Sequence, residues 1–83
     1  MLFRSINSTV ADAAERTDAV LSAFADRTTV VDRLDGVTVE LADGAWFNLR
    51  ASNTEPLLRL NVEAATAAEV DALVTEILGI VRA

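Results

Sequence analysis

Arg50-Ala51-Ser52-Asn53-Thr54-Glu55-Pro56 is the stretch of this chain whose residue types suit a chemical task. Arginine offers planar, permanently charged donors that can grip two oxygens of an anion at once. Ser52 and Thr54 add hydroxyl donors, and Asn53 adds an amide donor together with tolerance of left-handed backbone. Successive N–H groups of such a turn can converge into an anion nest. Pro56 stiffens the exit and returns the chain to extended structure. On residue types alone two readings stand: a loop that holds an anion, and an ordinary polar turn.

The elements around the loop decide what else faces it. Strands are expected at 29–34, 37–42, 45–51 and 57–63, separated by Asp35-Gly36, Asp43-Gly44 and the loop itself, because Asp-Gly between alternating apolar segments signals a hairpin. Val37, Val39 and Leu41 share one face, as do Phe47, Leu49 and Ala51, and then Leu58, Leu60 and Val62. The last two strands register with Ala51 opposite Leu58, Leu49 opposite Leu60 and Phe47 opposite Val62. That register sets Arg50 opposite Arg59 and Asn48 opposite Asn61 on the polar face. Two arginines facing each other repel unless something negative lies between them. Glu63, Glu55 or Glu40 can supply that charge, and so can a bound anion. For the preceding hairpin, pairing Leu41 with Phe47 calls for a three-residue connection with a bulge near Asp43-Gly44-Ala45.

Two helical patterns bracket the strands. Val70, Leu73, Val74, Ile77, Leu78 and Val81 draw one apolar stripe, with Thr66 and Glu69 as its capping box, which places a helix at 66–82. An alanine-rich segment with Asp12 and Glu15 at its start predicts a helix over 12–25, with Ala13, Thr17, Val20, Leu21 and Phe24 facing inward. Residues 6–10 alternate weakly, as a short strand without neighbours would. The fold expected is an α+β two-layer sandwich, a four-stranded antiparallel meander with two helices on its apolar face.

Composition narrows the chemistry. The chain has 83 residues, enough for one small domain, and 52% of them are hydrophobic. Thirteen acids against seven bases give a net charge of −6, which is wrong for binding nucleic acid through a basic field. All seven bases are arginine. There is no lysine, histidine, cysteine or tyrosine, so nucleophile–histidine catalysis, thiol chemistry and the usual zinc ligands are excluded. The loop can contribute to catalysis only by binding. No run of residues reaches membrane-spanning length, Met1-Leu2-Phe3 is too short for a signal peptide, and the expected compartment is the cytoplasm.

The seven residues Arg50–Pro56 resemble the phosphate-binding signature of the α-D-phosphohexomutases. The continuation Leu57-Leu58-Arg59-Leu60-Asn61-Val62-Glu63-Ala64 is similar to the bacterial phosphomannomutase/phosphoglucomutase branch, and the resemblance extends upstream through 32–37 and Ile6-Asn7-Ser8. It implies the C-terminal domain of a four-domain enzyme, with a TATA-binding-protein-like fold. It also implies that Arg50, Ser52, Asn53 and Thr54 bind substrate phosphate, that Glu55 and Pro56 shape the loop, and that Arg59 at most supports them. The reaction implied moves a phosphoryl group between C1 and C6 of a hexose, through a hexose 1,6-bisphosphate and with Mg²⁺.

The groups that do this chemistry are not in the chain. The phosphoserine loop, the aspartate metal loop and the sugar-recognition loop are all missing, so no catalytic residue and no metal ligand is assigned. Asp35 and Asp43 are read as turn residues. The expected partners are mannose or glucose phosphate and the preceding domains of the same mutase, with neither nucleic acid nor membrane among them. The isolated chain is expected to be inactive. A free-standing phosphosugar-binding module and a structural interaction domain are the alternatives. Ahead of Ile6 the family usually reads Ser-Gly-Glu, where this chain reads Met-Leu-Phe-Arg-Ser, so residues 1–5 are expected to be foreign to the domain or disordered.

Overall fold

The computed structural model describes residues 2–34 and 36–83. In chain order these form β1 (Leu2–Thr9), α1 (Ala13–Ala23), a 3₁₀ turn (Ala25–Arg27), β2 (Thr28–Asp32), β3 (Val37–Leu41), β4 (Trp46–Ala51), β5 (Leu57–Ala64) and α2 (Ala67–Val81). The strands make one antiparallel sheet in the order β1-β5-β4-β3-β2. The α+β two-layer architecture is as expected, with one correction: the sheet has five strands, not four. Residues 2–5 continue the weak segment that starts at Ile6 into one strand, β1, which ends at Thr9. Its partners run from Leu2 opposite Ala64 to Thr9 opposite Leu57, so it covers the free edge of β5. Met1 and Asp35, the latter expected in a turn, lie outside the described residues.

β1 and β2 run in the same direction at opposite edges of the sheet. The chain between them must therefore return across a face, as parallel strands require, and α1 does so. Asp12 caps it by accepting the Glu15 N–H at 3.1 Å, and Thr66 caps α2 by accepting the Glu69 N–H at 3.2 Å. Val20 and Phe24 from the first helix, with Val70, Leu73, Val74, Ile77 and Val81 from the second, pack on Val39, Phe47, Leu49, Leu58, Leu60 and Val62. Phe24 meets Phe47 edge-on, with ring centroids 5.2 Å apart. All of this lies on one side of the sheet and leaves the other side open.

The β4–β5 register agrees with the parity argument at every position: Phe47 opposite Val62, Asn48 opposite Asn61, Leu49 opposite Leu60, Arg50 opposite Arg59, Ala51 opposite Leu58. The β3–β4 hairpin has the expected three-residue connection but a different pairing. Phe47 faces Val39, not Leu41, and Leu41 instead donates its N–H to the Ala45 carbonyl at 2.9 Å. Gly44 at φ +91° supplies the left-handed residue that closes such a loop. β2 is shorter than the 29–34 expected and carries a bulge between Thr28 and Val30. As an edge strand it leaves Val30 and Val31 about half exposed.

Candidate anion-binding site

Arg50 ends the open face of β4, and the loop 52–56 turns the chain into β5. The loop is closed at its base by the Ser52 N–H donating to the Leu57 carbonyl at 3.0 Å. Within it, the Ser52 hydroxyl oxygen accepts the N–H groups of Thr54 at 3.3 Å and Glu55 at 3.2 Å. This is the local turn a serine favours, and it leaves the hydroxyl hydrogen to donate elsewhere. At the exit, the Pro56 carbonyl accepts the Val10 N–H at 2.8 Å, so the segment after β1 pins the end of the loop.

One form of nest alternates right- and left-handed residues, and among the described residues no non-glycine has a positive φ. Asn53 is therefore not left-handed, and the Thr54 and Glu55 N–H groups point to Ser52 instead of converging on an anion. What the loop offers an anion is side chains.

A shallow hollow of about 260 Å³ opens beside the loop, lined by Asn7, Arg50, Ala51, Ser52, Glu55, Leu57 and Arg59. Arg50, Ser52 and Glu55 are thus brought to one hollow. Asn53 and Thr54 stand exposed on the loop outside this lining, and Pro56 serves the exit. The sequence gives Arg59 at most a supporting role and Asn7 no role in the site. Asn7 comes from β1 and accepts a hydrogen bond from Arg59 Nε at 3.1 Å. Its signal was present in Ile6-Asn7-Ser8, but only strand pairing shows what that segment sits beside.

Glu63, one of the carboxylates that could have neutralised the arginine pair, accepts a hydrogen bond from the Trp46 indole. Glu55 remains at the hollow, so two guanidinium groups and one carboxylate line it. On the β3 side the space beside Arg50 is kept by Gly36, at φ +72°. A Cβ there would stand 2.6 Å from the Leu49 carbonyl oxygen and 3.3 Å from the Cα and Cβ of Arg50.

Comparison with known proteins matches residues 6–80 to the phosphoglucomutase/phosphomannomutase C-terminal domain. The chain belongs to that family. Over 59 residues, 70% of this chain, it is 51% identical to the phosphomannomutase of Salmonella typhimurium, of which it covers 12%. It is 48% identical to the phosphohexose mutases of Xanthomonas campestris over 70% of this chain and 13% of that protein. Over 93% of this chain it is 38% identical to a phosphomannomutase of Escherichia coli, covering 17% of that protein. The chain therefore spans roughly an eighth to a sixth of the length of these relatives.

The phosphohexomutase family is metal-dependent. Among the described residues no three acidic side chains come together to hold a metal. No step is assigned to a metal on these residues. Among the described residues, too, no helix is long and apolar enough to cross a membrane.

Proposed function

We propose that this chain is the substrate-phosphate-gripping domain of a phosphomannomutase-type enzyme that interconverts hexose 1-phosphate and hexose 6-phosphate. The observation that carries the reading is the placement of Arg50. Its side chain lines the hollow at the mouth of the loop, opposite a second arginine and next to the Ser52 hydroxyl. A phosphate ester there meets charged, planar donors and a hydroxyl in a small polar concavity. Asn53 and Thr54, exposed on the loop, close onto the bound phosphate as it seats, while Glu55 and Pro56 shape the turn.

The domain contributes binding energy and orientation. Phosphoryl transfer needs a donor group and metal ligands, which belong to the preceding domains of the same mutase, acting in the cytoplasm on mannose or glucose phosphate. The isolated chain accordingly turns nothing over.

The test is an NMR titration of the 83-residue chain with mannose 6-phosphate, repeated on Arg50→Ala. Saturable shifts confined to residues 50–59 and to Asn7, lost in the variant, support the reading. Shifts that do not saturate, or that persist without Arg50, would overturn it. Turnover of any hexose phosphate by the purified chain would overturn the expectation of inactivity.

A further inference from the structure

Asn7, Arg59 and Arg50 form one row across three strands. Asn7 is the cross-strand partner of Arg59, Arg59 is the partner of Arg50, and all three line the hollow. We propose that Arg59 is a second arm of the anion grip and Asn7 the residue that positions it, so that the hollow selects a doubly charged phosphate monoester over a singly charged diester. The proposal rests on the reading of residues 50–56 as a phosphate site and deepens it.

Three observations support it. First, the hydrogen bond from Arg59 to Asn7 uses Nε, at 3.1 Å. That holds the guanidinium plane and leaves its two terminal amino groups to donate. Second, the partner is an amide. An aspartate at position 7 would orient Arg59 equally well but cancel its charge, whereas asparagine orients it and keeps the charge for a ligand. Third, Asn7 sits on a strand fixed over eight paired positions and anchored beyond them by the Val10–Pro56 hydrogen bond. The acceptor is therefore held by the sheet and not by a mobile loop.

Charge then sets the ligand class. Two guanidinium groups facing each other across a strand pair favour an anion that bridges them. Glu55 from the loop side, and Glu40 in the adjoining hollow on the open face, each offset part of the positive charge. A monoester dianion offers three oxygens and close to two negative charges, enough for both forks. A diester offers two unesterified oxygens and one charge, which a single arginine satisfies.

The experiment titrates methyl phosphate and dimethyl phosphate into the 83-residue chain at low salt and about pH 8, above the second phosphate pKa, following the amide signals of residues 51–57. The wild type is expected to prefer the monoester. Arg59→Ala should weaken methyl phosphate by about three- to tenfold, the range for a charge-assisted contact at an exposed site, and leave dimethyl phosphate nearly unchanged. Its melting temperature should hold or rise, because a repulsion is relieved. Arg59→Lys should fall between, keeping the charge without the fork. Asn7→Ala should act in the same direction as Arg59→Ala, and the double variant should bind like Arg59→Ala alone, since Asn7 works through Arg59.

A monoester preference that survives Arg59→Ala, while Arg50→Ala abolishes binding, would overturn the second arm and leave the phosphate site standing. Additive losses in the double variant would overturn the positioning role of Asn7. Failure of the wild type to bind either ester, or undiminished binding by Arg50→Ala, would overturn the phosphate-site reading itself.

Discussion

Arg50 and Arg59 are direct cross-strand partners on the open face of the sheet, two like charges facing each other at the mouth of a polar loop. Such a pair is disfavoured unless negative groups lie near it, and Glu55 and Glu40 line the hollows on either side. It is tolerated where the strands are held for other reasons. Here they are held by Leu49–Leu60 and Ala51–Leu58, the flanking pairs on the apolar face. The sheet's core side supplies the stability, and its open side carries the charge.

Arg50→Ala should therefore separate function from folding. The residue is exposed, so truncation opens no core cavity and the melting temperature should stay within a degree or two. In a full-length mutase carrying this domain, kcat/KM should fall by about 10- to 100-fold, corresponding to roughly 1.5–3 kcal/mol of charged hydrogen bonding. Arg50→Lys should recover part of the loss. Steady-state kinetics beside thermal melts of both variants decide it. A normal kcat/KM in Arg50→Ala would mean the loop is only a turn.

Ser52→Ala tests the loop's internal scaffold. It removes the oxygen that accepts the Thr54 and Glu55 N–H groups. Both amides should exchange with solvent faster, and phosphate binding should weaken. Global stability should change by only about 1 kcal/mol, since the freed donors can turn to water. Ser52→Thr should restore protection at both amides. Unchanged exchange rates in Ser52→Ala would mean that the serine does not organise the turn.

Leu60→Ala and Asn61→Ala compare the two faces of one strand. Leu60 is 1% exposed, and its truncation should cost about 2–4 kcal/mol. Asn61 donates to Asn48 Oδ1 at 3.2 Å on the open face, and its loss should cost about 1 kcal/mol. Equal costs in chemical denaturation would contradict the strand parity.

Gly36→Ala should damage both stability and site. The left-handed backbone alone penalises alanine by about 1–2 kcal/mol. The added methyl would also press on the Leu49 carbonyl at 2.6 Å and on the backbone of Arg50. The variant should melt lower and bind phosphate more weakly, with shifts centred on Leu49 and Arg50. Wild-type affinity in a folded Gly36→Ala chain would show that the glycine does not set the position of Arg50.

Much of the fold is legible in the sequence because it is written in local periods. The period-2 alternation of 37–41, 46–51 and 57–63 sets which residues face inward. Together with the 51–58 pairing, that alternation alone implies the facing arginines. The 3.6-residue stripe from Val70 to Val81 and the caps at Asp12 and Thr66 place both helices. The motif 50–56 marks the loop.

The remainder is not local. β1 has no clean alternation because its inward positions include Arg4, which pairs with Asp71 on α2 at 2.8 Å, and Ser8, which is buried and accepts from Arg82 Nε at 3.1 Å. Those partners lie 67 and 74 residues away, and their chemistry replaces the apolar pattern that would announce a strand. For the same reason Asn7 could not be joined to the site, since 52 residues separate it from Arg59 and only pairing along β5 brings them together. The absence of a left-handed Asn53 is equally a tertiary outcome: tolerance of that conformation is a property of the residue type, and adopting it is decided by the closed loop. The sequence by itself determined the family, the inward face and the facing arginines, because each follows from residue type and short spacing. Only the tertiary structure decided what stands beside those arginines, because that depends on which distant strand covers the edge of β5.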